Sequence, residues 1–192
     1  MKLGIVGHGF VGTAVDHGFT KDVQKFIVDP KHNSTNTIES LIEFKPEATF
    51  VAVPTPMLET GECNISILQE VLQKLNKHKG HLVIVKSTVP SYKLQALQEE
   101  CVDLKIVYNP EFLTEKNHIM DFQKPSMHIF GGINADTDAV EKLYNEHSVC
   151  EPCPVYKTDI VTASMVKYCI NSFLATKAVS YTHLTLPTNR EV

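Results

Sequence analysis

Along this chain, short apolar runs rich in β-branched residues alternate with longer stretches whose apolar positions recur every three or four residues. The runs fall at residues 3–6, 26–28, 48–53, 82–85, 105–108 and 128–130. Most are near-continuous rather than alternating, which is the pattern of strands covered on both faces. The periodic stretches, at 11–19, 37–44, 65–77, 92–100 and 137–147, predict helices. Strand and helix in alternation predict a doubly wound parallel sheet of the α/β class. Pro46, Pro54, Pro56, Pro90, Pro110 and Pro125 punctuate these elements, mostly at strand ends.

After Cys153 and Pro154 the texture changes. Asp159 is placed to cap a helix running to about Lys177. Its positions Ile160, Val161, Ala163, Met165, Val166, Cys169, Ile170, Phe173 and Leu174 are apolar on almost every side. A helix apolar all round is a buried one, and nothing else in the chain is large enough to bury it. Residues 179–192 sustain no period and are expected to be unstructured or foreign to the native sequence. The expected organisation is a nucleotide-binding domain at 1–155, the start of a long connecting helix at 156–178, and the tail.

The first strand runs directly into Gly7-His8-Gly9-Phe10-Val11-Gly12. G-x-G-x-x-G spacing at a strand-to-helix turn gives a tight turn at Gly7, close backbone approach to phosphate at Gly9 and close helix–strand packing at Gly12. The free N–H groups of the helix start then face an anion. The second apolar run ends in Asp29, about 20 residues on, where a carboxylate meets the adenosine ribose hydroxyls. An acidic residue there favours NAD, because it repels the 2′-phosphate of NADP. The sheet is therefore expected to be Rossmann-like, with NAD as cofactor.

Composition narrows the reading further. The 192 residues carry 18 Lys and Arg against 22 Asp and Glu, a net charge of −4, with no basic block. That gives no indication of a nucleic-acid or anionic-membrane partner. No apolar run approaches the ~20 residues of a membrane span, and an N-terminus that is itself a strand argues for the cytoplasm rather than export. Cys63, Cys101, Cys150, Cys153 and Cys169 are an odd number. Cys150 and Cys153 have C-x-x-C spacing, but no second pair or histidine cluster completes a metal site, so no metal is expected.

Ligands of open parallel sheets lie at the carboxyl ends of the strands. Three polar clusters fall there: Val53-Pro-Thr55-Pro, Lys86-Ser-Thr88-Val-Pro, and Asn109-Pro-Glu111-Phe112-Leu113-Thr-Glu115. Lys167 and Asn171 share one face of the late helix. Each has a plain structural explanation as a turn, a surface carboxylate or a snorkelling lysine. Together they offer two carboxylates, a hydroxyl, an ammonium and an amide to one cleft.

In this order the motifs resemble the UDP-glucose/GDP-mannose dehydrogenase family over residues 1 to about 177, with Pro-Glu-Phe-Leu-x-Glu the most distinctive element. The resemblance implies oxidation of the C6 alcohol of a nucleotide sugar to a carboxylate with two NAD, through a thioester on a cysteine of a second half. It implies that Gly7, Gly9, Phe10, Val11, Gly12, Asp29 and Lys31 hold NAD. Thr55 and Thr88 would line the nicotinamide side, with Glu115 between cofactor and substrate. Glu111, with Thr88, would activate water, and Lys167 and Asn171 would stabilise the oxyanion at C6. Glu111, Phe112, Leu113, Glu115, Lys167 and Asn171 would meet the sugar substrate, and the complete protein would be a homodimer paired through the connecting helix.

There are departures. None of the five cysteines has the family's Gly-x-Cys-x-Pro-Lys-Asp setting, Met127 stands where an Arg is frequent, and Ser91 replaces the start of a Gly-containing turn. The chain is accordingly expected to bind NAD without completing catalysis. Two other readings remain open at this point, a β-hydroxyacid or 6-phosphogluconate-type dehydrogenase and a non-catalytic NAD-binding module.

Overall fold

The computed structural model describes residues 1–20 and 22–183. Its elements in order are β1 (Lys2–Val6), α1 (Phe10–Gly18), β2 (Gln24–Val28), α2 (Ile38–Phe44), β3 (Ala48–Val51), α3 (Ser66–Leu75) and β4 (Leu82–Val85). They continue with α4 (Ser91–Glu100), β5 (Lys105–Tyr108), α5 (His118–Gln123), β6 (His128–Gly131), α6 (Asn134–His147), β7 (Val155–Thr158) and α7 (Ile160–His183). The strands form one sheet in the order β2-β1-β3-β4-β5-β6-β7.

The five strands β1 to β5 run parallel, as the continuous apolar runs predict. The edge differs from an all-parallel sheet. β6 meets β5 antiparallel through the single pair Tyr108–Gly131, and β7 then runs parallel to β6. β7 escapes sequence reading because Val155-Tyr-Lys-Thr158 is only four residues long and has no buried position to mark it, as suits an edge strand. Its hydrogen bonds carry the sheet to Thr158. The six-residue α5 is too short to show a helical period.

Each inner strand sends alternate residues to opposite faces, so the sheet supports two core layers. Val6, Val51, Val83, Val85, Ile106 and Tyr108 pack under α2, α3, α4 and α7. Leu3, Ile5, Phe50, Ile84, Val107 and Phe130 pack under α1, α5 and α6. A fully buried side chain of this kind contributes ~2 kcal/mol, which explains why central strands without polar positions are stable only with helices on both sides.

Local chemistry sets the element ends. Thr37 and Ser40 form a reciprocal capping box at α2. Asp159 caps α7 as the sequence predicts: its carboxylate accepts the Thr162 N–H at 2.8 Å and the Thr162 hydroxyl at 2.6 Å. Helix α7 extends six residues beyond Lys177, through 179–183, where no structure is expected from the sequence. That segment holds no glycine or proline to stop a helix, and the Thr176 and Ser180 hydroxyls bond back to the carbonyls four residues earlier. The remainder of the tail, 184–192, lies outside the described residues. The start of α7 is buried, but Phe173, Leu174 and Tyr181 are more than half exposed, in keeping with a helix whose apolar surface exceeds what this chain can cover. Among the described residues, no helix is long and apolar enough to cross a membrane.

Two half-buried histidines make the fold sensitive to acid. His81 shares a 2.8 Å hydrogen bond with the buried Thr49, and His128 stacks on Phe130 and lies 4.6 Å from the Tyr144 ring. Burial pushes both imidazoles down to about 4. Between that value and the ordinary 6.5, the unfolded chain binds the protons and the folded one does not, so stability falls as the pH is lowered through this window. Urea unfolding at pH 7.5 and 4.5 should show the wild type losing on the order of 2 kcal/mol more than His81→Gln.

Candidate functional site

The glycine loop is built as its spacing requires. Gly7 has φ +87°, and a Cβ there would lie 2.4 Å from the Ala52 carbonyl oxygen. A Cβ on Gly12 would meet the Gly7 carbonyl oxygen at 1.9 Å, so only glycine lets α1 sit this close to the turn. At Gly9 a Cβ would meet nothing within 4 Å. That space lies in front of the first turn of α1, whose unpaired N–H groups and positive dipole end suit a phosphate.

Asp29 ends β2 and closes this loop. Its Oδ2 accepts the His8 N–H at 2.8 Å, and its Oδ1 accepts the N–H groups of Lys31 at 2.7 Å and His32 at 3.2 Å. Asp29 is held below the usual carboxylate range: desolvation pushes it up, and these backbone donors together with the nearby His8 outweigh that. A cavity of about 640 Å³ opens beside it, lined by Gly7, Gly9, Asp29, Lys31, Ile38 and Pro54 among others. A second cavity, of about 330 Å³, shares Gly9 and Pro54 with the first. It reaches past Phe10, Val11, Thr55 and Thr88 to Glu111. The two make one groove along the carboxyl ends of β1, β3, β4 and β5. The first cavity lies in front of the helix start and Asp29, and the second lies beside Thr55, Thr88 and Glu111. Among the described residues, no cluster of three or more His, Cys, Asp or Glu side chains is arranged to hold a metal ion.

The strand-end motifs knit the second cavity together. The Thr55 hydroxyl donates to the Thr88 carbonyl at 2.8 Å, and the Ser87 hydroxyl to the Val53 carbonyl at 2.7 Å. Lys167 is 3% exposed despite its place in an apolar helix. Its Nζ lies 3.0 Å from Glu111 Oε1, also donates to the Glu111 carbonyl, and stands 5.1 Å from the Phe112 ring centre. The other Glu111 oxygen accepts the Leu113 N–H at 2.6 Å. Thus Thr88, Glu111, Phe112, Leu113 and Lys167 come together.

Two expected site residues stand apart from this cluster. Asn171, one turn beyond Lys167, is exposed, and Glu115 lies exposed in the turn before α5. The fourfold spacing of Lys167 and Asn171 is right for one helix face, but α7 has already left the sheet by the second residue.

Several contributors escape sequence reasoning. His8 Nε2 lies 3.2 Å from Asp16 Oδ2 within the glycine loop, and its ring is 4.3 Å from that of His32. Lys86, Asn109 and Tyr144 form a buried polar chain under the groove. A histidine inside a glycine motif carries no linear signal, and Tyr144 lies 35 residues from its partner Asn109.

A mostly parallel doubly wound sheet with this loop, carboxylate and groove defines a dinucleotide-binding domain of the Rossmann type. The chain belongs to the UDP-glucose/GDP-mannose dehydrogenase family, whose NAD-binding domain it matches over residues 13–148; its cofactor is accordingly NAD. It is 36% identical over 138 residues to a UDP-glucose 6-dehydrogenase of Rickettsia bellii, covering 68% of this chain and 32% of that protein. To the UDP-glucose 6-dehydrogenase TuaD of Bacillus subtilis it is 32% identical over 170 residues, covering 83% of this chain and 36% of the relative. The fold superimposes on a UDP-glucose dehydrogenase from Pyrobaculum islandicum with a TM-score of 0.79 at 24% identity, over 91% of this chain and 50% of the other. The chain therefore spans about a third of the length of these curated relatives.

Among the described residues, the Glu111–Lys167 contact is the best-buried ion pair. Removing one partner of such a pair leaves the other charge without compensation. Lys167→Met should lower stability by ~3 kcal/mol, and Glu111→Gln in the same chain should restore most of it. A double-mutant cycle in urea measures the coupling.

Proposed function

We propose that this chain is the NAD-binding half of a nucleotide-sugar 6-dehydrogenase acting on UDP-glucose or a related UDP- or GDP-sugar. The observation that carries this reading is the buried Lys167–Glu111 pair at the end of the groove that begins at the glycine loop. It sets an ammonium and a carboxylate beside the cavity suited to the nicotinamide half.

When bound, NAD supplies the hydride acceptor. The residues of this chain would hold that cofactor and stabilise the reacting oxygen. The α1 N-terminus and Asp29 anchor the diphosphate and ribose, while Thr55 and Thr88 shape the nicotinamide side. The hydride leaves from the C6 carbon itself, and as the C6 hydroxyl loses its proton to solvent, negative charge grows on its oxygen. Lys167 supplies a fixed positive charge to it, and Asn171 a donor once substrate brings the two together. Glu111 takes a proton from water in the later hydrolytic step, with Thr88 orienting that water. Oxidation of an alcohol to a carboxylate removes four electrons, hence two NAD per sugar.

The cysteine that carries the acyl group is not among the five here, so this chain binds NAD without turning over sugar. The exposed apolar half of α7 is the surface through which the complete protein pairs as a homodimer in the cytoplasm.

Calorimetric titration tests the reading. NAD should bind, NADP should bind at least tenfold more weakly, and Asp29→Ala should weaken NAD by about tenfold while narrowing the preference. Equal affinity for the two cofactors in the wild type would remove the basis for the reading. NADH formation from a simple 3-hydroxy acid by the chain alone would favour a β-hydroxyacid dehydrogenase, a group that also spaces a Lys and an Asn four residues apart.

A further inference from the structure

Lys86, directly after β4, is only 4% exposed. Buried ammonium groups are ordinarily paired with a carboxylate, because the unpaired charge is expensive. This one has no carboxylate within 4 Å among the described residues. Its Nζ donates to the neutral Asn109 Oδ1 at 3.0 Å and lies 5.6 Å from the centre of the Phe122 ring. Asn109 is itself locked, accepting the Tyr144 hydroxyl at 2.8 Å and donating to the Ile129 carbonyl at 3.0 Å. The lysine is therefore held in place by a network that does not neutralise it.

The charges around it can be counted. Glu111 after β5, Lys167 on α7, His128 on β6, Tyr144 on α6 and Cys150 before β7 face this region from the surrounding elements. Burial keeps the His128 imidazole down at about 4 and pushes the Cys150 thiol and the Tyr144 phenol up, so these three are neutral near pH 8. Glu111 and Lys167 cancel each other as an ion pair. Asp121 on α5 and Lys124 after it line the cavity behind Phe112 and Leu113 together with Lys86 and are of opposite sign, so the charge under the groove that changes near pH 8 is that of Lys86. Lys86 and Glu111 both line the nicotinamide-side cavity, and both also line the cavity of about 280 Å³ behind Phe112 and Leu113.

We propose that Lys86 is a specificity-determining residue for the oxidation state of the cofactor: its positive charge beneath the groove weakens binding of NAD relative to NADH. The proposal rests on the reading that the nicotinamide half lies over β4 and β5. The oxidised ring is a pyridinium cation and the reduced ring is neutral, whereas the adenosine, riboses and diphosphate are common to both. Every contact at Asp29, His8 and the glycine loop therefore cancels in the ratio of the two affinities. A charge that disfavours the oxidised ring favours acceptance of hydride, which places Lys86 on the side of sugar oxidation.

Burial brings the Lys86 ammonium down to about 8, with Lys167 pushing the same way and Glu111 and Cys150 opposing. The bias is thus fully present at pH 7 and fades as the pH rises through 8. By linkage, NAD binding near pH 8 releases protons and NADH binding does not. The expected size is on the order of tenfold in the affinity ratio, which is what two unit charges about 10 Å apart produce at an effective dielectric of about 20.

The experiment is calorimetry of this chain with NAD and with NADH at pH 7, 8 and 9, run at pH 8 in two buffers of different ionisation enthalpy. NADH should be preferred about tenfold more strongly at pH 7 than at pH 9, with proton release seen for NAD only. Lys86→Met should hold the ratio at the wild-type high-pH value throughout, and Cys150→Ala should leave the wild-type pH dependence intact. The proton release needs no variant, so it decides the matter even if Lys86→Met does not fold. Binding of both cofactors with a pH-independent ratio would overturn the proposal, as would loss of the pH dependence in Cys150→Ala. Failure of both cofactors to bind would overturn the placement of the nicotinamide, and the role of Lys86 with it.

Discussion

Lys167 and Glu111 meet across 56 residues of chain, and much of the molecule is arranged so that they can. An ammonium and a carboxylate taken out of water are tolerated only when each is fully engaged. Here the ammonium has the carboxylate, a backbone carbonyl and the Phe112 ring, and the carboxylate has the Leu113 N–H as well. Meeting that requirement holds the first turns of α7 against α4 and the ends of β5 and β6. The same docking buries Ile160 and Ala163 in the core and lets the Ser164 hydroxyl donate to the Val89 carbonyl at 2.7 Å. The connection after β5 is shaped by the same pair, since Glu111 is bent back onto Leu113 and its side chain faces the groove rather than solvent.

The groove divides into two halves of different character. At the β1–β2 end the surface is made of backbone: the open space at Gly9 lies before the start of α1, and Asp29 fixes the loop through the N–H groups of His8, Lys31 and His32. At the β4–β5 end the surface carries buried charge: Lys167 pairs with Glu111, and Lys86 lines the same cavity as Glu111. The two halves meet because the strand order reverses on either side of β1, leaving a crevice where the connections to α1 and away from β3 part in opposite directions. A dinucleotide lying along it would have its diphosphate at the backbone end and its reactive ring over the charged end.

The linear pattern of this chain determines a great deal about it. Continuous β-branched runs separated by helical periods specify a two-sided core, because a strand without polar positions must be covered on both faces. The glycine spacing with Asp29 behind the second strand specifies the loop, because only glycine can adopt φ +87° at position 7 or approach a carbonyl as closely as position 12 does. Asp159 before an apolar period specifies a capped helix. These are local requirements, carried by residue type and spacing over a few turns of chain.

What the tertiary structure alone decides is which polar residues share a space. β7 and the antiparallel entry of β6 depend on pairing near a sheet edge, which four-residue segments do not encode. Asn171 and Lys167 have the same helical phase yet different surroundings, because α7 departs from the sheet between them. Lys86, Asn109 and Tyr144 come from a strand end, a loop and a helix, and only their convergence under the groove makes an uncompensated buried charge. Sequence by itself fixes the backbone frame and the cofactor loop, since both rest on local sterics and periodicity. The electrostatics of the cleft floor depend on long-range packing, which decides how far each charge is removed from water and what is left to balance it.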